Sequence, residues 1–197
     1  VKARDFVSAL LLAAGESQRM GHLKQLLPLG GSTLIEVALE NLLRSRLQEV
    51  IVVLGFGAEE IRPRVEAKGV RVAVNPRYKE GMASSLRVGL DALDPRAEGI
   101  LVALADQPFI PPEVIDRLIE AFQGTSKGIV VPTFQGRRGH PVIFHRRYME
   151  ELRSLSGDQG GRELLHRNPE DLLEVEVDCP GVITDIDTLE DYWRFCP

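Results

Sequence analysis

Cysteine is nearly missing from this chain. Cys179 and Cys196 are the only two, and neither has metal-ligand spacing or a base beside it. A disulfide framework is therefore not expected, the thiols read as inert, and a reducing, cytoplasmic location is expected. Long apolar runs are missing too, since none approaches the length of a membrane span. The opening residues, Val1 to Phe6, lead straight into a strand-like segment, so no signal peptide is expected. Positive charge is not in excess: 24 lysines and arginines face 29 aspartates and glutamates, a formal charge of −5. That balance argues against non-specific nucleic-acid binding. There is no Gly/Ser/Pro-rich linker, internal repeat, low-complexity tract or Gly-x-Ser-x-Gly nucleophile elbow.

What is present is an alternation of short apolar runs and longer helical patterns. The chain has 197 residues, 44% apolar and 27% charged, enough for one soluble domain with a sizeable core. Strands are expected at Phe6–Ala13, Glu49–Leu54, Val70–Val74, Gly99–Leu104, Gly128–Pro132, Val142–Phe144 and Leu172–Val177. The first five are nearly continuous apolar runs, as in strands covered on both faces. Helical faces recur at Leu34, Ile35, Ala38, Leu42 and Leu43 behind Ser32 or Thr33. A short helix carries Ile61 and Val65, where Pro63 is tolerable only in the first turn. Others carry Leu86, Leu90 and Leu93, or Val114 to Phe122 behind Pro111 and Pro112. Later helices are expected over 145–155, 160–167 and 188–195, with Tyr192, Trp193 and Phe195 as packing residues. His22, His145 and His166 share no spacing and read as surface residues.

This order predicts the α/β class: an open, mostly parallel sheet with helices on both faces. One domain is expected over 1–197, with its donor-binding part at about 6–110 and its acceptor-binding part at about 111–197. In such sheets ligands lie beyond the carboxyl ends of the strands. The segments that follow strands therefore matter most: residues 14–24, 55–57, 75–85 and 106–108.

The first of these segments carries the strongest signal. An apolar run ends in Leu12, Ala13, Ala14 and Gly15. Small and polar residues follow, then Arg19 and Lys24. Gly15 and Gly21 permit close backbone approach, and backbone amides after a strand can converge on phosphate oxygens. Arg19 can fork onto a phosphate, and Lys24 can supply a point charge. The segment is neither a Walker loop nor the Gly-x-Gly-x-x-Gly fingerprint. The alternative is a surface loop with two solvated cations.

Four further constellations follow. Asp106 ends a strand at the ligand edge, where a carboxylate suits Mg²⁺ or simply caps a turn. Asn75 precedes Gly81, Ser84 and Ser85, which open a helix. That N-terminus suits an anion or a base, or ordinary capping by serine. Asp185 and Asp187 lie two apart in an extended segment and share a face. Thr188 and Asp191 stand at capping-box distance just beyond. Finally, His140 before Pro141 is forced toward an extended backbone. It joins Asp158 and Arg162 in glycine-rich, polar surroundings, where Asp158 could also cap the next helix.

In this order, from residue 10 to residue 192, the pieces resemble the molybdenum-cofactor nucleotidyltransferases, and most of all the cytidylyltransferase branch. The matching pieces read LLAAGESQRMGHLKQLLPLGGSTLI, NPRYKEGMASSL, LADQPFI, GRRGHPVIF, GDQGGR and DIDTLEDY. The first piece is shared widely among nucleotidyltransferases, and the later ones narrow the branch. The resemblance implies a Rossmann-like nucleotidyltransferase fold, Mg²⁺ and a nucleoside triphosphate. It implies that Leu12, Ala13, Ala14, Gly15, Arg19 and Lys24 line the triphosphate, and that Asn75, Gly81 and Ser85 approach the base or ribose. It implies Mg²⁺ on Asp106 with Asp185 or, second in order, Asp187, and an acceptor near His140, Asp158 and Arg162. Guanylyl-transferring relatives tend to carry glycine where this chain has Ala14, which favours CTP over GTP. Leu189 stands where proline is common.

The expected reaction is transfer of CMP from CTP to the phosphate of molybdopterin or its molybdenum form, with release of pyrophosphate. Arg19, Lys24 and Asp106 are the expected catalytic groups. A phosphate monoester is already largely dianionic near neutral pH, with a second pKa of about 6, so no general base is required. Rival readings are a transferase acting on a sugar phosphate or phospholactate, and a non-enzymatic factor that delivers the cofactor to a molybdenum hydroxylase.

Overall fold

The first strand is the middle of the sheet. β1 (Val7–Ala13) is buried at every position, as suits a strand with neighbours on both edges and helices on both faces. The computed structural model of the chain describes residues 6–16, 23–158 and 161–196. After β1 come a small hairpin of β2 (Pro28–Leu29) and β3 (Ser32–Thr33), then α1 (Leu34–Leu43), β4 (Glu49–Leu54), α2 (Ala58–Glu66) and β5 (Arg71–Val74). Next are α3 (Met82–Ala92), β6 (Gly99–Leu104), α4 (Pro112–Gly124), β7 (Ile129–Phe134), β8 (Arg137–Arg138) and β9 (Val142–His145). α5 (Met149–Ser154), α6 (Arg162–Arg167), β10 (Leu172–Glu176) and α7 (Leu189–Phe195) complete the described chain.

Eight strands form one sheet in the order β10-β7-β9-β6-β1-β4-β5, with β8 beside β7. β1 runs parallel to β4 and β6, and β4 parallel to β5. β9 is antiparallel to both β6 and β7. The α/β expectation holds, with β9 and the short β8 as the reversed strands of a mostly parallel sheet. The register decides where a ligand can sit. Leu12 lies opposite Leu104, and Ala13 opposite Leu54, so β1, β4 and β6 end at one level. The residues that follow them share one sheet edge.

Side chains of β1 alternate between two cores, as strand geometry demands. Val7, Ala9 and Leu11 pack with Ile35, Leu39, Ile61 and Phe122 of α1, α2 and α4. Leu10 and Leu12 pack with Leu86, Leu90, Leu152 and Leu164 of α3, α5 and α6. Each fully buried side chain of this size contributes about 1.5–3 kcal/mol. Both cores lie against the rigid strands that carry the site. Among the described residues no helix is long and apolar enough to cross a membrane.

Three local expectations need correction. Pro63 sits beyond the first turn of α2, because that helix starts at Ala58. It is exposed between exposed Arg62 and Arg64, so water can reach the carbonyl that its missing N–H leaves over. On α7 only Tyr192 is buried, while Trp193 is 68% exposed and Phe195 40%, its ring lying 6.4 Å from that of Phe109. The helix has too few neighbours to cover more than one face. His145 is half-buried rather than a surface residue, and its ring accepts a hydrogen bond from the Arg147 amide.

Candidate functional site

At the shared edge of β1 and β6 lies a cleft of about 470 Å³. Its floor is the chain that leaves β1, Leu12 to Glu16, together with Leu104, Ala105 and Asp106 at the end of β6. One wall is the turn holding Lys24 and Gln25, and the other is Tyr78 to Ser85 with Asp158. Four predicted residues, Leu12, Ala13, Ala14 and Gly15, therefore sit together in the floor. Arg19, Gly21 and His22 lie outside the described residues.

The carbonyls of Leu12 to Gly15 are all turned to protein donors. Leu12 O accepts from the Ala105 amide and Ala14 O from the Phe56 amide, each at 3.1 Å. Ala13 O and Gly15 O accept from Gln25 Nε2, at 3.3 and 3.1 Å. An anion in the cleft thus meets no free carbonyl from these residues. The packing that allows this is tight. A Cβ on Gly55 would lie 2.8 Å from both Ala14 Cβ and Ala14 O, so only glycine lets the end of β4 approach the floor.

Lys24, Asp106 and Asp187 meet in the cleft. Lys24 Nζ donates to Asp106 Oδ2 at 2.7 Å and to Asp187 Oδ1 at 2.9 Å. Lys24 and Asp106 are largely buried, with side chains 15% and 21% exposed. Burial works against the Lys24 charge, but Asp106 and Asp187 outweigh it and hold the ammonium above the ordinary lysine range. Burial pushes the Asp106 carboxyl upward against the pull of Lys24, and Asp185 and Asp187 add to the push. Lys24 moves up because two carboxylates hold its ammonium, and Asp106 moves up chiefly because it is buried.

Asp106 Oδ1 is buried with no hydrogen-bond partner among the described residues. A buried carboxylate oxygen left unsatisfied is costly. In a cluster with surplus negative charge, it suits a hard divalent cation. Among the described residues no three His, Cys, Asp or Glu side chains are grouped to hold a metal. The donor set therefore fits Mg²⁺ or Mn²⁺ that takes one or two carboxylates and completes its shell from phosphate and water. Of the two alternatives for the second carboxylate, Asp187 stands in the cleft on Lys24. Asp185 accepts from Gln107 Nε2 at 2.6 Å instead. The cap of α7 fixes Asp187: Asp191 Oδ2 accepts from the Asp187 and Thr188 amides, in a complete capping box with Thr188.

The N-terminus of α3 is built differently from the expectation. Its Met82 amide donates to Asp158 Oδ1 at 3.1 Å, and its Ala83 amide to Gly157 O at 3.0 Å. Asp158 thus caps α3, not the helix that follows it, and these amides are already engaged. Gly81, at φ +96°, allows the approach, since a Cβ there would lie 2.7 Å from Asp158 Oδ1. Asn75 lies behind the cleft wall, only 1% exposed. Its amide donates to Ser84 Oγ at 2.8 Å and Ser85 Oγ at 3.0 Å, and its Oδ1 accepts from the Arg77 amide. Asn75 therefore orients Ser85, which does line the cleft.

His140 and Arg162 line a second pocket of about 180 Å³. Apolar Val102, Val142, Phe144 and Leu165 line it too, and Arg138 and His166 add polar groups. Val102 and Leu104 lie two apart on β6, so the two pockets are neighbours on one sheet face. Burial, then Arg162, lowers the His140 pKa to about 4 against the opposing pull of Asp106, so the ring is neutral at neutral pH. The His140–Pro141 peptide is cis. The structure thus separates Asp158 from His140 and Arg162. Gln25 went unremarked in the sequence, although a glutamine inside the apolar run after Lys24 was a usable signal. Tyr78 and Met82 carried none.

Known proteins extend the same picture. Residues 9–172 match the family described as MobA-like NTP transferase domain. The chain is 35% identical to nicotine blue oxidoreductase of Paenarthrobacter nicotinovorans, over 95% of both chains. It is 25% identical to the molybdenum cofactor cytidylyltransferase of Escherichia coli K12, over 94% of this chain and 93% of that one. Among solved structures, Rv0371c of Mycobacterium tuberculosis H37Rv superposes with a TM-score of 0.89 at 34% identity, covering 98% of both chains. Its complex with manganese gives 0.83 at 31% identity, over 97% and 98%. The chain belongs to the MobA-like NTP transferase family, among the molybdenum-cofactor nucleotidyltransferases, and is a nucleotidyltransferase.

Proposed function

We propose that the chain transfers CMP from CTP to the phosphate of a molybdopterin-type acceptor, with loss of pyrophosphate. The observation that carries this reading is the buried Lys24–Asp106–Asp187 cluster, with its unpartnered Asp106 oxygen at the end of β6. The donor triphosphate lies along residues 12–16 in the larger cleft. The acceptor lies in the smaller pocket by His140 and Arg162. Asp158, at the larger cleft, belongs to the donor side, so the division between the halves of the chain near residue 110 is not strict.

Lys24 neutralises the leaving pyrophosphate, and Arg19 adds a bidentate donor to it. Asp106, with Asp187, would hold Mg²⁺, which supplies Lewis-acid stabilisation of charge on the α-phosphate. Ser85, Gly81 and Asp158 border the nucleoside, and Asn75 keeps the Ser85 hydroxyl in place. Ala14 narrows the floor by one methyl, which favours the smaller pyrimidine. The acceptor phosphate is already largely a dianion near neutral pH and needs no base to attack phosphorus, so neutral His140 has no proton to take. Positioning and charge are the protein's whole contribution. A molybdenum hydroxylase would be the consumer of the product.

A pyrophosphate-release assay with Mg²⁺, CTP and each acceptor class tests this. Release with molybdopterin, and not with a sugar phosphate or phospholactate, is expected. Release with a sugar phosphate alone overturns the acceptor. Cofactor binding without release from any triphosphate favours a delivery role.

A further inference from the structure

Gln25 is almost fully buried, 3% exposed, although it is polar and borders an open cleft. It follows Lys24 directly on the short turn Lys24–Leu26. Its amide nitrogen donates to Ala13 O at the end of β1 and to Gly15 O just beyond it. Backbone neighbours hold the alternate carbonyls, Leu12 O and Ala14 O, through the Ala105 and Phe56 amides. Backbone from two strand ends and one side chain thus share the task of orienting the floor.

We propose that Gln25 is a positioning residue for the donor phosphates, resting on the reading of the cleft as a triphosphate site. A primary amide has two N–H groups, one for each carbonyl. Held on Gln25, the two oxygens face the turn rather than the anion. Released, a carbonyl dipole of either residue can rotate toward the phosphates, where it repels them. Because Lys24 and Gln25 share a turn, the same brace sets the height of the Lys24 ammonium over the floor. Methionine at 25 keeps the length and burial but offers no donor. Glutamate keeps the shape, offers no donor when ionised and adds a charge that the carbonyls and phosphates both oppose.

The test is calorimetric titration of the folded wild type, Gln25→Met and Gln25→Glu with CTP and with pyrophosphate, both with Mg²⁺. Amide hydrogen exchange over residues 13–16 is followed in parallel. About tenfold weaker binding of both ligands is expected for Gln25→Met, the effect of one or two lost hydrogen bonds, and more for Gln25→Glu. Exchange should rise at 13–16 and stay unchanged in the strand cores. Unchanged affinity for both ligands in Gln25→Met, with only a lower melting temperature, overturns the proposal and leaves Gln25 a packing residue. If Gln25→Met fails to fold, unchanged affinity in Gln25→Glu overturns it equally. Wild type that binds neither CTP nor pyrophosphate overturns the cleft reading itself, a different result from equal binding by all three proteins.

Discussion

Lys24 Nζ lies 2.7 Å from Asp106 Oδ2, joining the turn after the β1 loop to the end of β6. The pair spans the floor on which the donor is proposed to rest; loss of Lys24 strands the buried Asp106 carboxylate, and loss of Asp106 leaves Lys24 on Asp187 alone. Lys24→Ala and Asp106→Ala should each lower nucleotidyl transfer by ~10²–10³, the usual effect of removing one preorganised charge or donor. Steady-state pyrophosphate release measures this, with far-UV circular dichroism to verify the fold. Near-normal turnover in both variants would remove the cluster from the mechanism.

The same ammonium spans both carboxylates that would hold a metal, so Lys24 and a divalent cation compete for the same negative charge. Lys24→Met should bind Mn²⁺ more tightly than the wild type in the absence of nucleotide, while binding CTP more weakly. Electron paramagnetic resonance of free Mn²⁺ during titration reads the first effect, and calorimetry the second. Weaker Mn²⁺ binding by the variant would show that Lys24 supports the metal rather than opposing it.

The α3 entrance depends on Gly81 and Asn75. Gly81→Ala places a methyl against Asp158 at a positive φ and should cost about 1–3 kcal/mol. It should also weaken CTP binding by displacing Asp158. Asn75→Ala removes the side-chain acceptor of the Arg77 amide and the donor to the Ser84 and Ser85 hydroxyls, for about 1–3 kcal/mol. Urea denaturation measures both losses. A silent Gly81→Ala would mean that residues 157–158 yield without cost.

Away from the cleft, Asp171 fastens β10 to the start of β7. It accepts from Arg147, from Tyr148 Oη at 2.6 Å and from the Gly128 amide at 3.0 Å. Burial raises the Asp171 pKa, but the bonds from Tyr148, Arg147 and Gly128 outweigh it and leave the carboxyl below its ordinary value. Its stabilisation is therefore present above the unfolded carboxylate value and lost as pH falls through the lower folded one. Burial and the bond to Asp171 push Tyr148 up to about 12. That contribution is whole below the unfolded tyrosine value of about 10 and is lost as pH rises through the folded one. Asp171→Ala should cost ~1–3 kcal/mol at neutral pH and progressively less as acid protonates the wild-type carboxyl. Tyr148→Phe should narrow its deficit in alkali. Urea titrations at neutral pH, in acid and in alkali read both trends, and a pH-independent deficit would contradict them.

Much of this was legible in the sequence because the signals were local. Continuous apolar runs placed β1, β4 and β6 almost to the residue, and the strand-then-glycine pattern at Ala13–Gly15 marked the floor. Asp106 stood out because a carboxylate ended an apolar strand. The choice of Asp187 over Asp185 as the partner of Lys24 was not legible. It follows from the Asp191 cap and from Gln107 taking Asp185, and both are tertiary contacts. The same holds for Asp158, whose partner Met82 lies 76 residues away, and for Asn75, which looks like a ligand contact but braces serines. Reversal of β9 could not be read from apolar periodicity, which is the same for either strand direction.

The measurement that bears most directly on the proposed chemistry is mass detection of product after incubation with molybdopterin, Mg²⁺ and each ribonucleoside triphosphate in turn. A CMP-linked molybdopterin dinucleotide with equimolar pyrophosphate, formed from CTP in preference to GTP, is the predicted result. No nucleotidyl product from any triphosphate, with oxidation of a reduced nucleotide cofactor instead, would contradict it.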